Sequence, residues 1–126
     1  MGHNVLYIED NPDNMMLVRR VLESRGYILF QAMNGMTGID VAETEAIDLI
    51  LLDINLPDID GYEVARRLRH SERKPSLAHV PIIAITANAL KGDAEKALNA
   101  GCDVYMSKPI NIRELWARVE GILPIS

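Results

Sequence analysis

Short apolar runs alternate with amphipathic segments from one end of the chain to the other, with no linker or low-complexity stretch between them. Val5-Leu-Tyr-Ile8, Ile28-Leu-Phe30, Leu49-Ile-Leu-Leu52, Ile82-Ile-Ala-Ile85 and Val104-Tyr-Met-Ser107 have the length and side-chain content of strands. Asn11-Pro12 reads as an N-cap followed by proline at the first helical position. The helix it opens sets Met15, Val18, Val21 and Leu22 on one face and stops at Gly26. A second helix is expected over Thr37 to Thr44 with Ile39, Val41 and Ala42 inward. Ile47-Asp48 leads into the third strand, and Leu56-Pro-Asp-Ile-Asp-Gly61 is turn chemistry before a third helix, Tyr62 to Arg69, with Val64, Ala65 and Leu68 inward. His70 to His79 reads as a polar loop, and Val80-Pro81 as the start of the fourth strand, where proline is tolerated only at the first position. Leu90 to Ala100 is an alanine-rich helix ended by Gly101, and Asn111 caps a last helix with Ile112, Leu115, Val119 and Ile122 at three- and four-residue spacing.

This is a (βα)5 pattern spanning residues 1–126 as one domain. Strands that are apolar throughout are buried on both faces, which implies a parallel sheet between helices. The fold class is α/β, doubly wound and flavodoxin-like, and five strands suit the order 2-1-3-4-5. In such sheets the ligand crevice lies outside the carboxyl ends of the strands, at the switch point between strands one and three.

Polar residues stand at those ends. Glu9-Asp10 follows the first strand, Asp53 the third, Thr86 the fourth and Lys108-Pro109 the fifth. Clustered carboxylates repel one another unless a cation neutralises them, and an open site keeping several waters suits Mg²⁺. Metal held by carboxylates and a phosphate is the usual arrangement for phosphoryl transfer. Asp53 is placed to act as an oxygen nucleophile giving an aspartyl-phosphate. Thr86 and Lys108 are placed to contact phosphate oxygens, and positioning with charge neutralisation carries such a transfer. Each residue also has a plainer role, as helix cap, loop acid, strand end or solvated charge. Their joint placement at four strand ends favours the functional one.

A formal net charge of −5 argues against a nucleic-acid-binding surface. The one basic cluster, Arg66, Arg67, Arg69, Arg73 and Lys74, reads as a solvated helix face. The single cysteine, Cys102, excludes an internal disulfide, points to a reducing compartment and is expected to be a small buried residue. No apolar run approaches the roughly 18 residues of a membrane span. Met1-Gly-His-Asn-Val leads directly into a strand without a signal peptide, so the cytoplasm is expected. His3, His70 and His79 are too scattered for a metal site.

Glu9-Asp10, Asp53-Ile-Asn-Leu-Pro-Asp-Ile-Asp-Gly61, Thr86-Ala87 and Lys108-Pro109 stand in the order and spacing of one family. The chain resembles a response-regulator receiver domain of two-component signalling, the CheY-like family, over essentially its whole length. The resemblance implies that Asp53 is the phosphoacceptor and that Asp10, Asp53 and the Asn55 backbone carbonyl ligate Mg²⁺, with Glu9 acting through a water. It implies that Thr86 and Lys108 sense the phosphate, that Tyr105 is the aromatic switch, and that the Lys108-Pro109 bond is cis. Asn55 and Ala87 flank the expected phosphate position. It also implies a histidine kinase or histidine phosphotransfer protein as donor and a downstream protein as target, with self-phosphorylation and self-dephosphorylation rather than enzyme turnover. Asn88-Ala-Leu-Lys-Gly-Asp93 and Ala100-Gly-Cys-Asp103 are similar to DivK-like stand-alone receivers, so no output domain is expected.

A receiver excised from a hybrid histidine kinase is the runner-up. A flavodoxin-like electron carrier would find its phosphate repelled by Glu9-Asp10. An aspartate-nucleophile phosphatase would want a second aspartate where Asn55 stands. For partner docking, Met15, Met16 and Leu17 set apolar residues side by side on the first helix, with burial in the core as the alternative. Trp116 offers a surface for a homodimer or a target, against plain packing.

Overall fold

The computed structural model describes residues 3–87 and 92–125. Its elements are β1 (Asn4–Ile8), α1 (Pro12–Ser24), β2 (Ile28–Ala32), α2 (Gly35–Thr44), β3 (Leu49–Asp53), α3 (Gly61–Arg69), β4 (Ile82–Thr86), α4 (Asp93–Ala100), β5 (Val104–Ser107) and α5 (Ile112–Ile122). The strands form one parallel sheet in the order β2-β1-β3-β4-β5, as the apolar runs implied.

Alternation along each strand divides the core in two. Leu6, Ile8, Ile50, Leu52, Ile82 and Ala84 pack with α2, α3 and α4. Val5, Tyr7, Leu49, Leu51, Ile83 and Ile85 pack with α1 and α5 on the opposite face. The central strands β3 and β4 are buried at every position, whereas the edge strand β2 exposes Ile28 and Gln31.

The helices begin where side chains satisfy their free amides. Asn11 accepts from Asp13 and Asn14, Asn34 from Thr37, Asp60 from Glu63 and Asn111 from Glu114. The Asn34 cap starts α2 at Gly35, earlier than the Thr37 that periodicity suggested. β2 runs on to Ala32 because its pairing with β1 extends to Ile8↔Ala32. α1 ends as expected at Gly26, whose φ of +95° is the left-handed conformation that glycine adopts without strain.

Three expectations change. The stretch after α3 is not wholly loop, since Pro75–Ala78 forms a short 3-10 helix that buries Leu77. β4 begins at Ile82, with Pro81 just ahead of it lending its carbonyl to the Ile50 N–H at 2.9 Å. α4 begins at Asp93, and Gly92 stands at its N-cap in the left-handed conformation, φ +99°, rather than inside the helix. The start at Leu90 and the Asn88-Ala-Leu-Lys stretch lie outside the described residues, as do Met1, Gly2 and Ser126.

The basic cluster is not one solvated face. Arg69 is half-buried, its guanidinium donating to the carbonyls of Gly101, Leu77 and Val80 and to Asp103 Oδ2. Lys74 donates to the carbonyls of Ala42 and Glu45 at the end of α2, and Arg73 pairs with Glu43. Trp116 is half-buried against the α1–α5 core with the Arg25 guanidinium 4.0 Å from its ring centre, which favours packing over a free docking surface.

Candidate acidic site at the sheet's carboxyl edge

The ends of β1, β3, β4 and β5 meet as the topology requires. Asp53 closes β3, and a tight crossing holds the loop behind it: the Gly61 N–H donates to the Ile54 carbonyl at 2.9 Å. A Cβ on Gly61 would stand 2.6 Å from Ile54 Cα and 2.7 Å from the Asp53 carbonyl oxygen, so the start of α3 fits against the site only as glycine. Thr86 is buried at the end of β4, and its carbonyl accepts the Lys108 N–H at 2.7 Å, registering β5 against it. The Lys108-Pro109 peptide is cis.

Glu9, Asp10 and Asp53 each offer a carboxylate oxygen, and these oxygens lie within 4.8 Å of one another. Glu9 and Asp53 are buried and Asp10 is exposed. The Lys108 ammonium stands 3.2 Å from Glu9 Oε1 and 3.2 Å from Asp53 Oδ2. Asp53 Oδ1 accepts the Asn55 N–H at 3.0 Å. Asn55 itself is exposed, and Tyr105 is half-buried against the α2–α3–α4 core. Met15 is buried, but Met16 and Leu17 are 54% and 42% exposed. Leu17 shares a cleft of about 410 Å³ with Asn14, Lys108, Pro109 and Ile110, which joins the exposed face of α1 to the site.

Two residues went unnoticed in the sequence. Tyr7 donates its hydroxyl to Glu9 Oε1 at 3.0 Å, and Asn14 donates its side-chain amide to the same oxygen at 3.1 Å. The signal for Tyr7 was its position in β1: one polar-tipped residue in an apolar run, on the side of the strand that Glu9 shares. Asn14 lies a turn into α1, where nothing in the periodicity marks it.

The acids titrate apart. Burial raises Glu9, but its hydrogen bond with Asp53, the Lys108 charge and the Asn14 amide outweigh that and bring it down to about 2. Asp53 is pushed up to about 7 by burial and by the bond to Glu9, against the Asn55 N–H and Lys108. The two carboxylates are thus pushed in opposite directions, Glu9 toward its charged form and Asp53 toward its protonated one. Lys108 is held above its ordinary value: burial lowers it, and the two carboxylates more than reverse that. Three carboxylate oxygens within 4.8 Å facing one ammonium make a cluster short of positive charge, and such hard oxygen donors suit a small divalent cation such as Mg²⁺.

The model of the response regulator receiver domain matches residues 5–120. The chain belongs to the response regulator receiver family. This receiver domain is 42% identical over 112 residues to the polar-differentiation response regulator DivK of Brucella anthropi, covering 89% of each chain. It is 38% identical, with a TM-score of 0.86, to the receiver domain of the sensor histidine kinase PA1611 from Pseudomonas aeruginosa, covering 99% of this chain and 100% of that one. A magnesium ion is coordinated in the active-site cleft of that protein. The receiver domain of Ssk1 from Saccharomyces cerevisiae, solved in complex with the histidine phosphotransfer protein Ypd1, is 29% identical with a TM-score of 0.85, over 94% of this chain and 87% of that one. Receiver domains are phosphoryl-accepting signalling modules rather than classical enzymes. Among the described residues, no helix is long and apolar enough to cross a membrane.

Proposed function

We propose that this receiver takes a phosphoryl group from a histidine kinase or histidine phosphotransfer protein onto Asp53 and, once phosphorylated, changes which protein it binds. The observation that carries the reading is the meeting of Glu9, Asp10 and Asp53 with the Lys108 ammonium at one strand edge. An Asp53 oxygen forms the new bond to phosphorus as the bond between phosphorus and the donor's imidazole nitrogen breaks, and the electron pair leaves with the imidazole. Lys108 neutralises charge on Asp53 before transfer and pairs with a phosphate oxygen after it. Glu9, Asp10, Asp53 and the Asn55 carbonyl are the residues that would hold Mg²⁺, and the ion supplies charge neutralisation between carboxylate and phosphate.

Thr86 supplies a hydroxyl at the end of β4, and Tyr105 follows it inward, reshaping the surface of α4, β5 and α5 by choosing between two packings. The donor docks on the face of α1 around Met16 and Leu17; the exposure of both, and the place of Leu17 in the Lys108 cleft, support that placement. We read the domain as a DivK-like regulator acting alone in the cytoplasm. Its comparable identity to the receiver of a sensor histidine kinase favours, as a second reading, a domain that works within a larger kinase.

Intact mass after incubation with Mg²⁺ and acetyl phosphate tests the chemistry. A single phosphate adduct, labile to base and absent from Asp53→Asn, is expected. No adduct, together with no binding of beryllofluoride, would overturn it.

A further inference from the structure

We propose that Asp58 is a positioning residue that ties the loop after Asp53 to the amino end of α2 and so sets where the Asn55 backbone stands in the acidic site. The inference rests on the function proposed above, because the Asn55 carbonyl matters only where the site holds a divalent cation.

Asp58 lies midway along that loop, and its two carboxylate oxygens accept from successive backbone amides of a different element. Oδ1 takes the Gly35 N–H at 2.8 Å, and Oδ2 takes the Met36 N–H at 2.8 Å. Gly35 makes the approach feasible: a Cβ there would stand 2.7 Å from Ile59 Cγ1, 2.8 Å from Val64 Cγ2 and 3.2 Å from Asp58 Oδ1. The carboxylate is held below its ordinary pKa, slight burial raising it and the amides of Met36 and Gly35 lowering it further.

α2 has a cap of its own. Asn34 Oδ1 takes the Thr37 N–H at 2.8 Å, and the Asn34 carbonyl takes the Gly38 N–H at 3.0 Å. What Asp58 adds is therefore a link between elements. The loop is fixed at its start by the Ile54 N–H on the Ile85 carbonyl and at its end by the Gly61 N–H on the Ile54 carbonyl, each 2.9 Å. Asp58 fixes its middle with charge-assisted bonds at a helix amino end, where a carboxylate is favoured. Only Leu56 and Pro57 separate it from Asn55, and the fixed φ of Pro57 leaves little slack between tie and site.

Asp58→Ala, Asp58→Asn and Asn34→Ala decide between a positioning role and plain helix capping. Amide hydrogen exchange over residues 54–60 is read in the metal-free protein, and Mg²⁺ affinity is read by calorimetry. Asp58→Ala is expected to speed exchange across the loop and weaken Mg²⁺ binding by about tenfold, the lower range for loss of an outer-shell partner. Asn34→Ala is expected to speed exchange in α2 while leaving Mg²⁺ affinity unchanged. Asp58→Asn, which keeps one acceptor, is expected to fall between wild type and Asp58→Ala. Wild-type loop exchange and Mg²⁺ affinity in Asp58→Ala, or equal loss of affinity in Asn34→Ala, would overturn the assignment. If the wild type binds no Mg²⁺, the proposed function fails instead, and the exchange comparison still decides whether Asp58 holds the loop.

Discussion

The Lys108 ammonium reaches past β4 to donate to Asp53 Oδ2 at 3.2 Å, joining the end of β5 to the acid that closes β3. The same nitrogen stands 3.2 Å from Glu9 Oε1. One cation therefore serves two buried carboxylates drawn from β3 and from the segment after β1.

Replacing it leaves both carboxylates without that charge. Lys108→Met should cost the metal-free protein about 3 kcal/mol, the lower range for breaking a buried ion pair. Urea unfolding with and without Mg²⁺ checks this, and added Mg²⁺ should recover part of the loss. Labelling of Asp53 by acetyl phosphate should fall in the same variant.

The opposite shifts of Glu9 and Asp53 should make metal binding and stability depend on pH. Asp53 is raised to about 7 in the fold, so its contribution to metal-free stability is complete below its ordinary value and is lost as pH rises through about 7. Glu9, lowered to about 2, contributes in the opposite sense, its share being lost only as pH falls toward that value. Between about pH 5 and pH 8 the metal-free melting temperature should therefore fall, and Mg²⁺ affinity should rise as the proton is displaced. Asp53→Asn should flatten the melting trend over the same range. A wild-type trend that survives in Asp53→Asn would assign it to other groups.

Gly61→Ala should damage the site without touching a ligand. Its Cβ would meet the backbone of Ile54 and Asp53 rather than a side chain able to swing away. A loss of about 2 kcal/mol in chemical denaturation is expected, with weaker Mg²⁺ binding.

Arg69 is predicted to matter more than any other member of the basic cluster. Arg69→Ala strands the carbonyls of Leu77, Val80 and Gly101 and leaves Asp103 with the Ile82 N–H at 2.8 Å. We expect a loss of about 3 kcal/mol in urea unfolding, since several part-buried acceptors lose their donor together. Arg69→Lys should restore little, because an ammonium cannot reproduce the fork of the guanidinium.

Docking on α1 separates phosphodonors. Leu17→Asp and Met16→Asp should leave labelling by acetyl phosphate unchanged and slow transfer from a cognate histidine phosphotransfer protein by tenfold or more, as for loss of an interface anchor of about 2 kcal/mol. Equal effects on both donors would move the docking surface elsewhere.

The strands and their order were legible because a parallel sheet buried on both faces writes itself as unbroken apolar runs, and Leu49-Ile-Leu-Leu52 and Ile82-Ile-Ala-Ile85 are such runs. The site was legible for a related reason: a polar residue at the carboxyl end of each run has its place fixed by the strand before it. Arg69 and Lys74 were misread because their partners are carbonyls outside their own helical turn, which leave no periodic trace among their neighbours. The 3-10 helix at Pro75–Ala78 was missed since one buried residue, Leu77, makes no pattern. The opposite titration shifts of Glu9 and Asp53 depend on three-dimensional proximity and burial, and neither residue type announces them.

His3 Nε2 lies 3.1 Å from the Pro124 carbonyl, and Tyr27 donates its hydroxyl to Leu123 O at 2.7 Å. Entry into β1 and exit from α5 are thus neighbours on the side of the sheet away from the acidic cluster. A domain whose two ends are within hydrogen-bond reach can be spliced into a surface loop of another protein at little loop-closure cost. Such a graft would leave the carboxyl edge of the sheet facing outward, which makes this chain a suitable cassette for building phosphorylation-responsive fusions.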